Sequence, residues 1–382
     1  MSAVDPLTLP EPSRWDERPT AYLRRVRSPI DHADLGARVE DALTRFLRRQ
    51  RDRLTGIDGE LTAVADTAEA FVLGGGKRIR PAFAYWGYRG AGGTDGDEVV
   101  ACVASLELLQ ASALMHDDLM DDSDTRRGGP SVHRRFASAH ASAGWSGDGD
   151  GFGMCAAILL GDLCMTWSDE MFTGAGMPWP ALAAARNDFD AMRTEVSAGQ
   201  YLDVLTQAQR DNTIDRAQKV ARYKSAKYTV ERPLLMGAAL AGDDPRVRRT
   251  YSAYGLPLGE AFQLRDDVLG VFGDPAQTGK PAGDDLREGK HTFLVAHAYQ
   301  AANRAGRALL DGSLGDAELT DGGIEALRSL ITETGALAVT EQRIDRLAEQ
   351  SAAALRSGKD LIEDEAAVVL AELAEAAVRR SL

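Results

Sequence analysis

Apolar residues recur at intervals of three and four along most of the chain, which is the spacing of one helix face. Residues 98–122 contain no glycine or proline and are rich in Ala, Leu and Met, so they predict a long helix. The same spacing predicts helices within 35–73, 154–172, 180–208, 213–240 and 251–271 and from 291 onward. Pro233 should kink one of them. No alternating strand pattern of useful length appears, so the sequence predicts an all-α protein.

Glycine, proline and charge patterns suggest the domain organisation. Residues 1–35 are proline-rich, mixed in charge and without a sustained period, and we expect a loose N-terminal extension. Residues 36–382 then form one all-α domain. Residues 143–153 include the run GDGDG, which predicts a mobile loop; it lacks the ligand positions of an EF-hand.

Composition narrows the class of protein. The chain has 382 residues, 44% of them hydrophobic, and a formal net charge of −14, which argues against non-specific binding to nucleic acid or anionic membranes. Cys102, Cys155 and Cys164 lie in apolar surroundings without metal-site spacing, so we expect buried free thiols in a reducing compartment. No signal-peptide core and no run of eighteen apolar residues is present, and we expect a cytoplasmic protein without a membrane span.

An acidic cluster closes the long helix at 98–122. Five carboxylates fall within residues 117–124, and Asp117 and Asp121 are four residues apart on one face, with Asp118 beside them. Like charges at this spacing repel, so the cluster favours a bound cation. An oxygen-only ligand set suits Mg²⁺, which commonly completes its shell with water and phosphate oxygens. The alternative is a solvated helix end.

A second acidic pair, Asp266-Asp267, lies near the end of another predicted helix. Basic residues stand at helix ends and loops around both pairs; they are Lys77, Arg80, Arg126, Arg127, Lys224, Lys280 and Lys290. Two acidic walls with basic residues around them can hold a metal-bridged diphosphate and a second diphosphate without metal. The chain has no G-x-S-x-G and no H-E-x-x-H, which disfavours hydrolytic triads and zinc peptidase chemistry.

These motifs, in this order, resemble the signatures of trans-isoprenyl diphosphate synthases. The matching runs are GGKRIRP at 75–81, DDLMD at 117–121 followed by RRG at 126–128, KS at 224–225 and FQLRDD at 262–267. The run GKPAGDDLREGK at 279–290 is similar to bacterial members of the geranylgeranyl diphosphate synthase group. The resemblance covers roughly residues 36–380 and implies one helical bundle around a deep central cavity, a homodimer and chemistry that uses Mg²⁺.

The resemblance also implies a role for each motif residue. The metal that bridges the allylic diphosphate would be bound by Asp117, Asp121 and Asp266, with Asp118 and Asp267 in support. The same leaving group would be held by Arg126, Lys224 and Lys280. The diphosphate of isopentenyl diphosphate would be cradled by Lys77, Arg80, Gln110 and Arg127, with Lys290 as a further phosphate contact. Ser225, Gln263 and the carbonyl of Lys224 would face the allylic cation.

Product length is the next expectation. Ser112 and Ala113 stand one turn before Asp117 and should face the growing chain, where a bulky aromatic would stop elongation in this family. Small residues at both positions predict a C20 product, geranylgeranyl diphosphate, made from isopentenyl diphosphate and an allylic primer (dimethylallyl, geranyl or farnesyl diphosphate).

Two features leave alternatives open. Many relatives have DDxxD as the second motif, whereas Gly270 takes the third place here, and Asp274, one turn further on, is a candidate substitute. A class I terpene cyclase shares the helical architecture but would not need Lys77, Arg80 and Arg127. A non-catalytic regulatory subunit of a prenyl synthase would be expected to have degenerate aspartate motifs, and both pairs are intact.

Overall fold

Helices account for most of the residues that the computed structural model describes, which are 32–273 and 283–378. The first helices are α1 (Leu35–Ile57), α2 (Thr62–Leu73), α3 (Ile79–Gly90), α4 (Asp97–Met120), α5 (Val132–Ser142), α6 (Gly149–Thr173), α7 (Trp179–Gln209) and α8 (Ile214–Val220). After a π-helical segment (Ala221–Glu231) come α9 (Arg232–Leu240), α10 (Pro245–Phe272), α11 (Asp284–Arg287), α12 (Phe293–Ala301), α13 (Arg304–Ser313), α14 (Asp321–Glu333), α15 (Ala336–Ser357) and α16 (Asp364–Val378). The predicted all-α class is confirmed.

Short 3₁₀ turns and one small hairpin complete the described elements. The turns are His32–Asp34, Gly59–Leu61 and Lys359–Leu361, and the strands are β1 (Thr125–Arg126) and β2 (Gly129–Pro130). The described part of the predicted N-terminal extension, 32–35, leads directly into α1. The domain boundary at residue 35 stays a prediction, because residues 1–31 lie outside the described part of the chain.

The predicted loop at 143–153 is partly wrong, because α6 already begins at Gly149. The side chain of Asp148 caps this helix by accepting a hydrogen bond from the backbone N–H of Asp150 at 3.1 Å. An aspartate N-cap stabilises a helix start by about 1 kcal/mol, which offsets part of the helix cost of the following glycines, about 0.5–1 kcal/mol each. Gly153 also packs directly against the backbone of His133 and Ala137 on α5, which holds the first turns in place.

The predicted kink at Pro233 takes another form. Pro233 lies in the first turn of α9, and the backbone before it is π-helical from Ala221 to Glu231. The N–H of Arg232 donates to the carbonyl of Lys227, five residues back, which is the π-helical register. Because proline has no N–H, the α-helical register cannot continue unbroken through this position. Lys224 and Ser225 lie within this π-helical segment.

Contacts among the described residues divide the chain into two compact units. The first comprises the described part of Met1–Pro81 together with Gly96–Asp124 and Pro130–Gly176. Its central element is α4, whose residues from Val99 to Met115 are largely buried, and α6 and α1 pack against it. The buried hydroxyl of Ser168 on α6 donates to the carbonyl of Ser105 on α4 at 2.8 Å. This bond fixes how α6 lies along α4.

The second unit comprises Ala82–Asp95, Thr125–Gly129 and the described part of Met177–Leu382. Helix α10 runs through its core, and its buried Tyr251 donates to the carbonyl of Gly87 at 3.0 Å. A separate apolar cluster lies at the C-terminal end of α10, where Val271 packs with Leu286, Leu294 and Ile324. This cluster attaches α11 and the following helices to α10.

The cysteine expectation is correct for two of the three residues. Cys102 and Cys164 are buried free thiols, whereas Cys155 is exposed. Burial raises the pKa of Cys102 and raises that of Cys164 to about 12. Cys155 is exposed because α6 turns one side away from α4 and α5. The neighbouring residues on this exposed side of α6 are also apolar, so the sequence does not distinguish Cys155 from the two buried cysteines.

Two helices, α4 and α6, have the length and apolar composition that a membrane span requires. In α4 the apolar window is 72% buried inside the protein, and in α6 it is 39% buried. A core helix of this composition passes the same test, and α4 is such a helix. The expectation that the chain has no membrane span stays a prediction.

Candidate functional site

The first aspartate motif lies at the C-terminal end of α4, in the first unit. The N–H of Asp121 donates to the carbonyl of Asp117 at 2.8 Å, and the N–H of Ser123 donates to that of Asp118 at 2.9 Å, so the motif closes the last helical turn. Asp118 is buried, while Asp117 and Asp121 are partly exposed. The negative end of the helix dipole adds to the repulsion among these carboxylates. The predicted pair on one helix face is therefore present.

Asp122 and Asp124, which also belong to the acidic cluster, are engaged elsewhere. Both accept hydrogen bonds from the guanidinium of Arg134 on α5, at 2.9 and 2.7 Å. They tie the loop after α4 to α5. The cluster thus divides into three site candidates and two loop anchors.

The glycine-rich turn and the first turn of α3 carry three cations, of which one is buried and two are at least partly exposed. Arg78 donates to the carboxylate of Glu107 on α4 at 2.5 Å and to the carbonyl of Val72 at 2.9 Å, and both side chains of this ion pair are buried. Lys77 is exposed and Arg80 is half-buried. Arg78 therefore anchors the turn to α4, and the two cations predicted to bind diphosphate project from an anchored backbone.

Helix α4 carries three further candidates one to two turns before Asp117. Ser112 is fully buried, Gln110 and Ala113 are half-buried, and all three lie on the part of α4 enclosed by protein. The Oγ of Ser112 and the Oε1 of Gln110 are buried atoms without a hydrogen-bond partner among residues 32–273 and 283–378. Small side chains thus precede the first motif, as the sequence requires.

The two arginines after α4 lie on the small hairpin. Arg126 is half-buried within β1, and Arg127 is exposed in the turn, where its φ of 54° is left-handed. No strand was expected at this position. The two-residue strands form because Gly128, with φ 78°, permits a tight reversal that few other residues adopt.

Lys224 and Ser225 lie in the π-helical segment of the second unit. The ammonium of Lys224 donates to the carboxylate of Asp203 on α7 at 2.7 Å, and Ser225 is buried. Asp203 is a functional candidate to which the sequence analysis assigns no role. Its partner is 21 residues away on another element, so no local spacing reveals the pair.

Two glycines hold this segment from opposite helices. A Cβ on Gly199 of α7 would lie 2.6 Å from the carbonyl carbon of Tyr223 and 2.7 Å from the Cα of Lys224. A Cβ on Gly259 of α10 would lie 2.7 Å from the Cα of Ala226. Only glycine permits such approaches. Backbone packing on both sides therefore fixes where Lys224 and Ser225 project.

The second aspartate motif lies on α10. Asp267 is buried and accepts a hydrogen bond from the amide of Gln263 at 2.8 Å, while Asp266 is half-buried. Burial raises the pKa of Asp267 to about 8; the Gln263 bond opposes the shift, and the charges of Asp285 and Asp266 add to it. A carboxyl group in this environment is largely protonated at neutral pH until a cation approaches.

Two further candidates follow α10. The ammonium of Lys290 pairs with the carboxylate of Glu288 and lies 3.7 Å from that of Asp285. Lys280 and Asp274 lie outside the described residues. The expected role of Lys280 therefore stays a prediction, as does the possible substitution by Asp274.

Within each unit the structure brings part of the predicted set together. The first unit carries the first aspartate motif on the same helix as Gln110, Ser112 and Ala113, and Arg78 ties the glycine-rich turn to that helix. The second unit brings Lys224 to Asp203, and Gln263 to Asp267. Among the described residues, no three His, Cys, Asp or Glu side chains converge closely enough to hold a metal on their own. The roles assigned to individual residues remain predictions.

Comparisons with known proteins identify the family. The polyprenyl synthetase family model matches residues 62–331. A geranylfarnesyl diphosphate synthase of Aeropyrum pernix is 30% identical over 309 residues, which cover 80% of this chain and 87% of the relative. An octaprenyl diphosphate synthase of Escherichia coli is 32% identical over 308 residues, covering 79% and 86%.

A solved structure gives the same result. The geranylgeranyl pyrophosphate synthase of Corynebacterium glutamicum, crystallised with isoprenyl diphosphate and magnesium, is 40% identical, with a TM-score of 0.87 over 91% of this chain and 99% of that one. The relatives named here make products of different length. The chain therefore belongs to the polyprenyl synthetase family, and it is an enzyme, a trans-prenyl diphosphate synthase.

Proposed function

We propose that the enzyme condenses isopentenyl diphosphate head-to-tail with an allylic diphosphate and that its product is geranylgeranyl diphosphate. The observation that carries the product length is the pair Ser112 and Ala113 on α4, one turn before the first aspartate motif. Neither side chain is large enough to block a C15 chain that passes this turn of the helix. The described relatives leave the length open, because their names include C25 and C40 products.

The chemistry of the donor set fits Mg²⁺. Both motifs offer carboxylate oxygens alone, Asp117 and Asp121 share one helix face, and Asp267 is buried in a way that favours a nearby cation. Mg²⁺ is usually held by one or two carboxylates with water and phosphate oxygens, so the lack of a complete ligand cage among the described residues is compatible with it. We propose Asp117, Asp121 and Asp266 as its ligands, supported by Asp118.

The chain's own residues would prepare ionisation of the allylic C–O bond. Bound Mg²⁺ stabilises the negative charge that develops on the leaving diphosphate. Lys224 adds a cation whose position is set by Asp203 at 2.7 Å, and Arg126 and Lys280 are proposed to hold the same group. The Ser225 hydroxyl and the Gln263 amide oxygen would face the allylic cation with their dipoles, which stabilises positive charge where water is excluded.

The second substrate needs its own anion site. Lys77, Arg80, Gln110 and Arg127 are proposed to bind the diphosphate of isopentenyl diphosphate, with Lys290 as a further contact. Its double bond then attacks the allylic cation, a C–C bond forms, and the released diphosphate accepts the proton that is lost. A terpene cyclase would not need this second site.

A product assay tests the proposal. Purified protein is incubated with Mg²⁺ and farnesyl diphosphate, with and without isopentenyl diphosphate, and products are identified by mass spectrometry. We expect geranylgeranyl diphosphate only when isopentenyl diphosphate is present; a cyclic hydrocarbon formed without it would indicate a cyclase instead.

The variant Ser112→Phe tests the role of α4 in product length. Starting from dimethylallyl diphosphate, this variant should stop at C10 or C15 diphosphates, because the aromatic ring fills the path of the chain. Ser112→Ala is the matched control and should keep the product of the unchanged enzyme. If Ser112→Phe makes the same products as the unchanged enzyme, α4 does not set the length.

We further propose a homodimer in which α6 faces a second copy. Met154, Ile158 and Leu159 are 46%, 40% and 64% exposed; Met154 and Ile158 are one helical turn apart on α6, and Leu159 is next to Ile158. An apolar stripe of this kind on a straight helix is suited to a two-fold contact, because the same residues meet across the axis. Leu159→Lys should produce monomers in sedimentation velocity, whereas Val368→Lys, at an exposed apolar residue on α16, should not.

The place of the enzyme in the cell is also a proposal. The net charge of −14 and the water-soluble diphosphate substrates favour the cytoplasm, without a membrane span. Fractionation of cells that express the chain should recover it in the soluble fraction. Recovery in membranes that resists high salt would favour insertion of α6.

A further inference from the structure

The third place of the second aspartate motif is held by Gly270, and the structure shows what occupies the space beside it. Residues 266, 267 and 270 share one face of α10, because they are spaced by three and four. A Cβ on Gly270 would lie 3.0 Å from the Oδ1 of Asp285 and closer still to its Oδ2. The carboxylate of Asp285 therefore occupies the position that a side chain at residue 270 would take.

The backbone around Asp285 is built to keep it there. Leu286, the next residue, is fully buried in the same apolar cluster as Val271, the residue after Gly270. The carbonyl of Leu286 accepts a hydrogen bond from the N–H of Gly315 at 2.9 Å. Gly283, which precedes α11, has a φ of 74°, and a Cβ there would lie 2.7 Å from Ile324. These contacts hold the turn that contains Asp285 against α10.

Lys290 forms only a long ion pair with Asp285. The ammonium of Lys290 pairs with Glu288, and its distance to the Oδ1 of Asp285 is 3.7 Å, too long for a hydrogen bond. The side chain of Asp285 is only 14% exposed.

We propose that Asp285 supplies the third carboxylate of the second aspartate motif, in the space left by Gly270, and takes part in binding Mg²⁺ and diphosphate. This inference rests on the proposed function. Asp266 and Asp267 on α10 and Asp285 from the following short helix would then supply the three carboxylates of the motif, although α10 itself carries only two. It requires glycine at 270, because an aspartate there would collide with Asp285 and add a further negative charge.

A carboxylate exchange tests the assignment. Mg²⁺ is titrated calorimetrically into the protein in the presence of inorganic diphosphate, for the unchanged chain and for four variants. Asp285→Asn keeps the shape and removes the charge, and it should weaken Mg²⁺ binding about tenfold to a hundredfold. Gly270→Asp alone should lower the melting temperature. The double variant Gly270→Asp/Asp285→Ala should recover most of the Mg²⁺ affinity, because one carboxylate again fills the shared space.

Asp284→Asn is the matched control, since it removes one charge from the neighbouring residue of the same short helix. It should leave Mg²⁺ affinity within the error of the titration. The assignment is overturned if Asp285→Asn binds Mg²⁺ as the unchanged protein does, if Asp284→Asn weakens binding equally, or if the double variant recovers nothing. The titration uses only Mg²⁺ and diphosphate, so it decides the matter even if the product assay finds no prenyl transfer.

Discussion

Gly199 offers the most direct test of how the fold positions Lys224. In Gly199→Ala the added methyl group would lie 2.6 Å from the carbonyl carbon of Tyr223 and 2.7 Å from the Cα of Lys224, and both neighbours are backbone atoms. No side-chain rotation can relieve such contacts, so α7 and the π-helical segment must separate. The cost of overpacking is about 3 kcal/mol at the upper end of the usual range. Alanine returns about 1 kcal/mol of helix propensity, so the net loss of stability is about 2 kcal/mol.

The matched control is Gly312→Ala on α13. Gly312 is also a helical glycine without a left-handed φ, but no atom lies within 4 Å of its added Cβ. This variant should gain about 0.4–1 kcal/mol, because alanine restricts the unfolded chain. Urea unfolding followed by circular dichroism compares both variants with the unchanged protein. The same chemical change should thus have opposite signs at the two positions.

Separation of α7 from the π-helical segment also affects the site. The 2.7 Å contact between Lys224 and Asp203 depends on that packing, and a shift of about 1 Å in a catalytic group can reduce the rate roughly a hundredfold. In Gly199→Ala, kcat for prenyl transfer should therefore fall more than binding of isopentenyl diphosphate. A Gly199→Ala protein as stable and as active as the unchanged enzyme would refute the reasoning.

Two other predictions follow from buried charges. In the metal-free protein, the pKa of Asp267 is about 8 in the folded state and about 4 in the unfolded state. Between these pH values the folded state binds more protons than the unfolded state. The free energy of unfolding should therefore fall as pH rises from 4 to 8, by at most about 1.4 kcal/mol per pH unit from this group. Asp267→Asn should remove that slope from urea unfolding measured at several pH values with a chelator present, and an unchanged slope would contradict the assignment. Arg78→Met leaves Glu107 buried without its guanidinium partner and should cost about 3–5 kcal/mol, whereas Arg78→Met/Glu107→Leu should recover most of that loss. Equal unfolding midpoints for the single and double variants would show that the ion pair does not anchor the glycine-rich turn.

Sequence spacing was sufficient where the chemistry is local to one helix. Asp117 and Asp121 are four residues apart, and the end of α4 places them on one face as the periodicity predicts. Both ends of α4 are likewise within two residues of the prediction, and α10 ends one residue beyond it, whereas α10 begins at Pro245, six residues before the predicted start. Local spacing fixes such features since a helix converts separation in sequence directly into direction in space.

Features that depend on two distant segments were not predictable in the same way. Asp203 and Lys224 meet across two elements, and Arg78 pairs with a carboxylate on α4 although the sequence groups it with Lys77. The π-helical register before Pro233 likewise cannot be read from periodicity, since proline alone predicts only a break. Each of these features is decided by packing partners that the sequence pattern does not identify.

The two aspartate motifs share a property that links stability to ligand binding. Asp117 to Asp121 close α4, and Asp266 and Asp267 lie within the last two turns of α10. The carboxylates in the last turn of α4 face the negative end of its dipole, at a cost of about 0.3–1 kcal/mol each, and their mutual repulsion adds a few tenths more per pair. At the second motif, burial raises the pKa of Asp267, so charging this group is costly. The empty protein therefore carries an electrostatic penalty at both motifs, for different reasons. A bound cation removes that penalty, so the same placement that weakens the empty protein strengthens its affinity for a metal-bound diphosphate.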